Sequence, residues 1–572
     1  MMNYLFFQNR PARMTAEFVR GEYDALLARI DGAESAGTSD EWLKLYADWN
    51  ALKGYISGEW SRTSYAFAKT MNDPALESAD SYIRREVGPV ASDGDFTMTS
   101  ALLRSRHRGA IGGEHNRHLM RVYENELAPL APVNRDLRVR VSDLAQRYSK
   151  IAASAGVTID GEEMTLQRAG TFLSSDDRAV RRRAFDAVRA WHLEQRRERA
   201  DIFNEMVNLR HRMAANVGYD TFTPLGYLGM ERMDYGPDDV AGFRESVRRH
   251  AVPLQTALYQ RQRDALNVDT LRPWDSPYDP TLTLPPGIVP VETQLDTVGR
   301  IFDALSPLLG EHFMKMRDGG WIDLENRKGK RGGAFCTSFA DEGHPAILCN
   351  SVGDADDVRT LVHEMGHAFQ GWESGGIEDV TLRMPSADAC EIHSLGMEML
   401  SLRYIDRFFS PEHAEKFRRG RWKKSVQMLC YISIVDEFQH WVYENPDATI
   451  DGRDDEWERI WDIYRPGIDY AEIEDFKRTI WYGQAHIFRS PFYYIDYAIA
   501  ETGAMQLALI DAEDHDRAMG IYMDLCRIGG TMSVLDIFKA AGLRSPFDPD
   551  VMRDLMAHAA RELAPLIPPA TS

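Results

Sequence analysis

Two histidines four residues apart enclose a glutamate in the string Leu361-Val362-His363-Glu364-Met365-Gly366-His367. On a helix, residues at i and i+4 project from one face, one turn apart. Two imidazoles in that relation can reach a single Zn²⁺ at about 2.0–2.1 Å. Glu364 lies about 100° further round the helix, where it can work on a water at the metal without ligating it. A catalytic zinc site normally has three protein ligands and one open position. The third is sought in the next helical pattern, Ser386-Ala387-Asp388-Ala389-Cys390-Glu391-Ile392-His393-Ser394-Leu395-Gly396-Met397-Glu398. Glu391, Ser394 and Glu398 share one face at i, i+3 and i+7, so one carboxylate can ligate while the other supports an imidazole N–H. We assign Glu391 as the ligand and Glu398 as the support. His393 sits about 200° from Glu391 and is expected to face elsewhere. Cys390, on a different face again, is expected to act as a small core hydrophobe. The cofactor expected is one Zn²⁺ per chain; N/N/O donor sets of this kind also accept Mn²⁺ or Co²⁺.

Two sorts of element must hold these groups. Residues 354–372 read as a helix, with acidic residues in the first turn and Gly375-Gly376 just past its end. Before it, residues 333–338 and 346–350 read as two strands around Gly343, a small β element next to the HExxH helix. The start of that hairpin, Gly332-Gly333-Ala334-Phe335-Cys336, is small and strand-prone, so a peptide could pair beside it by strand addition. Gly333, Ala334 and Phe335 are therefore candidate substrate-binding residues, and main-chain pairing predicts broad side-chain tolerance.

Elsewhere the texture is helical. Residues 176–200 place Val180, Phe185, Val188 and Trp191 at helical spacing, with arginines expected on a solvated face laced with acids. Val157 to Gly161 points to a hairpin around an Asp-Gly turn. Residues 271–291 carry six prolines, which forbids helix and strand pairing and marks a connector. The last ten residues, LAPLIPPATS, read as a tail. The expected class is mainly α, divided into an N-terminal helical region, 1–200, and a catalytic region, 201–572, with the proline-rich connector inside it.

Composition narrows the function. The 572 residues carry 67 Lys+Arg against 88 Asp+Glu, a formal charge of −21. Such a field repels phosphate backbones and anionic membranes, so neither nucleic acid nor a membrane is expected as a partner. Nothing approaches 18 consecutive apolar residues, which argues against a spanning helix. The N-terminal apolar patch is four residues long and precedes Arg10 and Arg13, the wrong order and length for a secretory signal. Five sparse cysteines fit a reduced, cytoplasmic compartment.

With HEMGH and ADACEIHSLGME at this separation, the chain resembles the thimet oligopeptidase and oligoendopeptidase F family of zinc peptidases. That family carries HExGH and a glutamate ligand some 28 residues beyond the first histidine, and here Glu391 follows His363 by 28. The oligoendopeptidase branch is matched by GKRGGAFCTSFADEGHPAILCN (329–350) with DDVRTLVHE after it, by GYDTFTPLGYLGMERMDY (218–235) and by DEFQHWVYENP (436–446). HIFRSPFYYIDYA (486–498) is similar to the family's substrate-facing His/Tyr loop. The resemblance spans residues 150–565 and implies two mainly helical lobes around a deep channel that admits short, unfolded peptides. It implies Glu364 as general base, with His486 and Tyr497 as donors to the developing oxyanion. Among Tyr493, Tyr494 and Tyr497, the pair Tyr493 and Tyr497 is chosen because it would lie one turn apart on a helix. Two other readings compete: an exopeptidase using Arg489 to bind a terminal carboxylate, and a non-catalytic peptide-binding protein. A structural zinc site would need a fourth protein ligand, and no CxxC pair is present.

Overall fold

Helix formers and amphipathic spacing dominate the chain, and the computed structural model, which describes residues 10–153 and 155–564, is accordingly mainly helical with two small sheets. The N-terminal apolar patch at 4–7 and most of the expected tail, from residue 565 onward, lie outside the described residues; Leu563, where that tail is expected to begin, instead ends the helix Pro549–Leu563 and is buried. Contacts divide the chain into two compact units, each assembled from three stretches. The first holds Met1–Leu127, Pro285–Ser410 and Gly503–Leu543; the second holds Ala128–Leu284, Pro411–Thr502 and Arg544–Ser572. The chain passes from the second unit to the first at 284/285, inside the proline-rich stretch, where neither helix nor strand forms.

In the first unit a 30-residue helix, Asp40–Lys69, buries Trp42, Leu45, Trp49, Leu52 and Tyr55 in a core shared with its neighbours. The sheet of this unit has strand order β3-β5-β4, with β3 Ile322–Glu325, β4 Phe335–Phe339 and β5 His344–Ser351. β3 runs parallel to the central β5, and β4 pairs antiparallel with it in the register Cys336↔Ile347. Central β5 is buried along nearly its whole length, as a strand paired on both edges and covered by helices must be. β4 is left with one edge outside the ladder. The HExxH segment lies on the helix Ala355–Ser374, and the third-ligand segment on the helix Ala387–Ser401; these pack on each other, and the first also packs on β4 and β5.

The second unit contains the hairpin β1 Gly156–Ile159 and β2 Glu162–Thr165, with Asp160 and Gly161 both at positive φ, the geometry an Asp-Gly turn provides. The helix expected over 176–200 is two helices, Arg178–Glu194 and Arg196–Asn216, which meet at Gln195. No glycine or proline marks the break. Instead Arg199 folds back, and its guanidinium donates to the His192 carbonyl at 2.7 Å, satisfying an acceptor at the first helix's end. The arginine face is also less solvated than expected: Arg181 is buried against Asp275 at 3.0 Å, and Arg199 is buried too. Asp275 and Asp279, from the proline-rich stretch, are thereby anchored, the latter to Lys423 at 2.7 Å and Arg261 at 3.0 Å. Among the described residues no helix is long and apolar enough to cross a membrane.

Candidate metal centre

The helix Ala355–Ser374 starts on a capping box. Asp357 accepts from the backbone N–H groups of Val352, Gly353 and Asp354 at 2.8, 2.6 and 3.0 Å, so the acidic first turn satisfies otherwise orphaned donors. Three turns on, the glycine of the motif sets the geometry of the site. A Cβ at Gly366 would stand 2.5 Å from the His393 carbonyl oxygen and 2.6 Å from Ser394 Cα. Only hydrogen at this position lets the helix Ala387–Ser401 approach so closely, and that approach carries Glu391 to the two imidazoles.

The ring nitrogens His363 Nε2 and His367 Nε2 each lie 3.5 Å from Glu391 Oε2. One donor atom from each of the three residues falls within 4.8 Å of the others, a grouping that could hold a cation. Donors on one tetrahedral ion with bonds of about 2.0–2.1 Å stand about 3.3–3.5 Å apart, so the two His–Glu separations suit a single small ion. Two nitrogens and one carboxylate oxygen are also the donor chemistry of an open zinc site. The outer nitrogen of His363, Nδ1, is 2.7 Å from Glu398 Oε1, a contact that fixes the ring's orientation. Glu391 accepts from Ser394 Oγ at 2.8 Å.

His367 has a different partner from the one the helical wheel allows. Its Nδ1 lies 3.6 Å from Cys390 Sγ, so Cys390 is not a plain core hydrophobe. The close crossing at Gly366 brings the His367 ring over the turn that carries this thiol. His393 faces away from the three donors and is buried, with Nδ1 3.1 Å from the Cys390 carbonyl.

Glu364 is buried, and burial raises its carboxyl above the ordinary range. The neighbouring imidazoles of His363 and His367 oppose the rise, Glu391 adds to it, and the backbone N–H of Cys336 donates to the carboxylate. That N–H belongs to β4, so the strand's outer edge and Glu364 face each other. Burial works against charge on Glu391 as well, yet His367 and His363 hold it down at about 2. His367 is raised well above its usual value, with Cys390 and Glu391 outweighing burial. Phe335 opens β4; Gly333 and Ala334 form its approach, with the Gly333 carbonyl accepting from Asn350 Nδ2 at 2.7 Å.

The segment 375–386, which joins the two helices, is held from outside. Asn50 of the Asp40–Lys69 helix bonds it twice, donating to the Glu378 carbonyl at 2.9 Å and accepting from Val380 N–H at 3.0 Å. Lys53 Nζ donates to Thr381 Oγ1 at 2.6 Å, and Tyr46 donates to Asp379. The same long helix grips the β4–β5 turn through Arg62 and Asp341, 2.7 Å apart. None of these positioning residues has a sequence signature, because each lies hundreds of positions from what it holds.

His486, Tyr493 and Tyr497 form a second cluster, in the second unit. His486 is on the short helix Ala485–Arg489, where Gln484 Nε2 lies 2.7 Å from its Nδ1. Its ring is parallel to that of Tyr493 at 5.8 Å and edge-on to that of Tyr497 at 6.3 Å. Tyr493 precedes the helix Ile495–Glu513 rather than lying on it, yet its hydroxyl donates to that of Tyr497 at 3.2 Å. Tyr494 also stands beside His486, at 4.8 Å. Burial, helped by the Arg489 charge, lowers the His486 pKa and favours the neutral ring.

A family model described as peptidase family M3 matches residues 171–557. Oligopeptidase PepF of Bacillus subtilis (strain 168) is 21% identical over 391 residues, a stretch covering 67% of this chain and 57% of PepF. The chain thus spans less than two thirds of that relative. Among solved structures, PZ peptidase A with an inhibitor is 30% identical at a TM-score of 0.89, covering 98% of this chain and 99% of its own. A crystal structure assigned as oligoendopeptidase F is 32% identical, also at a TM-score of 0.89, with 97% and 98% covered.

Proposed function

The chain belongs to peptidase family M3, and from that premise we propose that it is a zinc-dependent oligoendopeptidase acting on internal bonds of short, unfolded peptides. The observation that carries this reading is the convergence of His363, His367 and Glu391 beside a buried Glu364 on the same helix. His363, His367 and Glu391 would hold a zinc ion, which would supply an electrophile for the scissile carbonyl and would acidify a water. Glu364 takes the proton from the attacking water and returns it to the leaving amine. Glu398 holds the His363 ring, keeping Nε2 turned toward the donor cluster. His486 and Tyr497, with Tyr493 bonded to the latter, are the proposed donors to the oxyanion.

Substrate is proposed to align along β4, entering past Gly333, Ala334 and Phe335, because that edge has no ladder partner among the described residues and abuts the proposed base. In chain order the machinery falls in the region 201–572, with 1–200 as the N-terminal helical region. A reducing, cytoplasmic setting is part of the same reading, supported by five free thiols.

The test is cleavage of a quenched fluorescent peptide about nine residues long, blocked at both ends and wide enough to span such a site. Wild type is compared with Glu364→Gln, and metal is measured on both. Internal cleavage by wild type, lost in the variant while metal is retained, is the expected result. Trimming of a free peptide without cleavage of the blocked one would favour the exopeptidase reading, in which Arg489 binds the terminal carboxylate. Bound metal with no cleavage of either would leave a peptide-binding protein.

A further inference from the structure

We propose that residues 222–232 and Gln439 form a cradle that positions the His486/Tyr493/Tyr497 cluster by holding Phe492 in a left-handed backbone conformation. The inference rests on the reading of that cluster as donors to the peptide substrate.

Phe492 has φ +67°, a region that a bulky L-residue adopts only where its surroundings over-determine it. Both of its peptide groups are fixed by side chains from elsewhere in the second unit. The N–H donates to Gln439 Oε1 at 2.9 Å, and the carbonyl accepts from Arg232 Nη2 at 2.5 Å. The same Arg232 nitrogen reaches Asp496 Oδ1 at 2.6 Å, in the first turn of the helix that carries Tyr497. One buried guanidinium therefore ties the strained carbonyl to the neighbouring helix start. A second, Arg210, bonds the Phe488 carbonyl and the Tyr443 hydroxyl.

The ring is held as firmly as the backbone. It is fully buried, with Tyr227, His440 and Tyr443 at ring-centroid distances of 5.4, 5.0 and 5.3 Å. The remaining side is closed by Gly226, where a Cβ would stand 2.7 Å from Phe492 Cδ2. With every other side occupied, the ring has nowhere to move, and any displacement must pass into the backbone of 492–493. The next residue is Tyr493, bonded to Tyr497 and parallel to His486. The strain at Phe492 thus sits one peptide from the functional rings, held by a glycine, an arginine and a glutamine remote in sequence. This accounts for the segment 218–235, which the reaction itself does not use.

The test uses the full chain loaded with zinc. Gly226→Ala pushes on the ring, and the near-isosteric Gln439→Met removes the acceptor for the Phe492 N–H together with a 3.2 Å bond to the Val435 carbonyl within its own helix. For both, kcat and KM on the blocked peptide, metal content and thermal unfolding are measured. Each variant is also combined with Tyr497→Phe. Misplaced donors should lower kcat by about 10- to 100-fold with KM nearly unchanged and metal retained. In the Tyr497→Phe background most of that loss should disappear, because the cradle acts through the cluster. A structural role alone predicts losses that multiply, and that result, or a folded Gly226→Ala or Gln439→Met with wild-type kcat, overturns the proposal. If Gly226→Ala does not fold, Gln439→Met decides. Failure of the underlying reading looks different: His486→Ala and Tyr497→Phe would themselves keep full kcat.

Discussion

The candidate metal cluster of the first unit and the proposed donor cluster of the second stand on unlike supports. His363, Glu364 and His367 stand on one uninterrupted helix, and Glu391 and Glu398 on another, so helical periodicity alone orients them. One close approach, at Gly366, completes the arrangement. The second cluster has no such regularity. His486 lies on a five-residue helix, Tyr493 in a turn and Tyr497 on a new helix, and between them stands a left-handed Phe492 pinned by residues 53 and 260 positions away. A site on regular elements needs few outside contacts. A site on a loop needs its conformation imposed, and loses function when remote residues change.

That contrast predicts where single substitutions hurt most. Glu364→Gln removes the proposed base without touching a proposed ligand, so kcat should fall by about 10⁴-fold with metal content unchanged. A variant that loses metal instead would mean Glu364 holds the ligand geometry rather than the proton. Tyr497→Phe and His486→Ala should each lower kcat by about 10²–10³-fold and leave KM and metal affinity alone. Equal losses in kcat and metal binding would dissolve the distinction between the clusters.

Glu398→Gln should weaken zinc binding by about 10- to 100-fold, because a neutral amide supports the His363 N–H less well. The pH dependence of that affinity follows from His367, whose pKa lies well above the usual value. A ligand must be deprotonated, so the proton already competes at neutral pH. Affinity should fall as pH drops through that raised value, by about tenfold per unit per proton displaced, and level off above it. Metal titrations in competition with a chelator at several pH values measure this. An affinity flat from neutral to mildly acid pH would contradict it.

How much of this was legible in the chain follows the same division. HExxH and the downstream acidic helix are local patterns, and the grouping of His363, His367 and Glu391 and the Glu398 contact lie where spacing alone expects them. The helix start at Asp354 and the Asp160-Gly161 turn announce themselves by capping and turn residues. What spacing misses is contact between elements. A wheel of one helix sends Cys390 away from the site, because the wheel omits the second helix that brings His367 over it. The break at Gln195 depends on a side chain folding back rather than on a breaker residue. Gly226 reads as an ordinary glycine until the ring of Phe492, 266 positions away, is seen to fill its space.

The smallest effect expected probes whether the metal helices are as self-sufficient as this comparison holds. Asn50 makes two bonds to the segment 375–386 that joins them, and both groups it satisfies are backbone. Asn50→Ala leaves a carbonyl and an N–H without their partner, which costs about 1–3 kcal/mol of stability where water cannot replace it. Lys53, half-buried nearby and held charged by Tyr123 and Asp379 against the pull of desolvation, keeps a parallel bond to Thr381. The joining segment should therefore loosen without detaching. Gly366 still brings the two helices together, so Glu391 should stay near the imidazoles and zinc affinity should fall by less than about tenfold. Denaturant unfolding with and without zinc separates the two quantities. A stability loss with nearly unchanged zinc affinity fits a metal site set by its own helices. A loss of affinity as large as that of Glu398→Gln would mean the helix Asp40–Lys69 aims the third ligand, and that the first cluster too is positioned from afar.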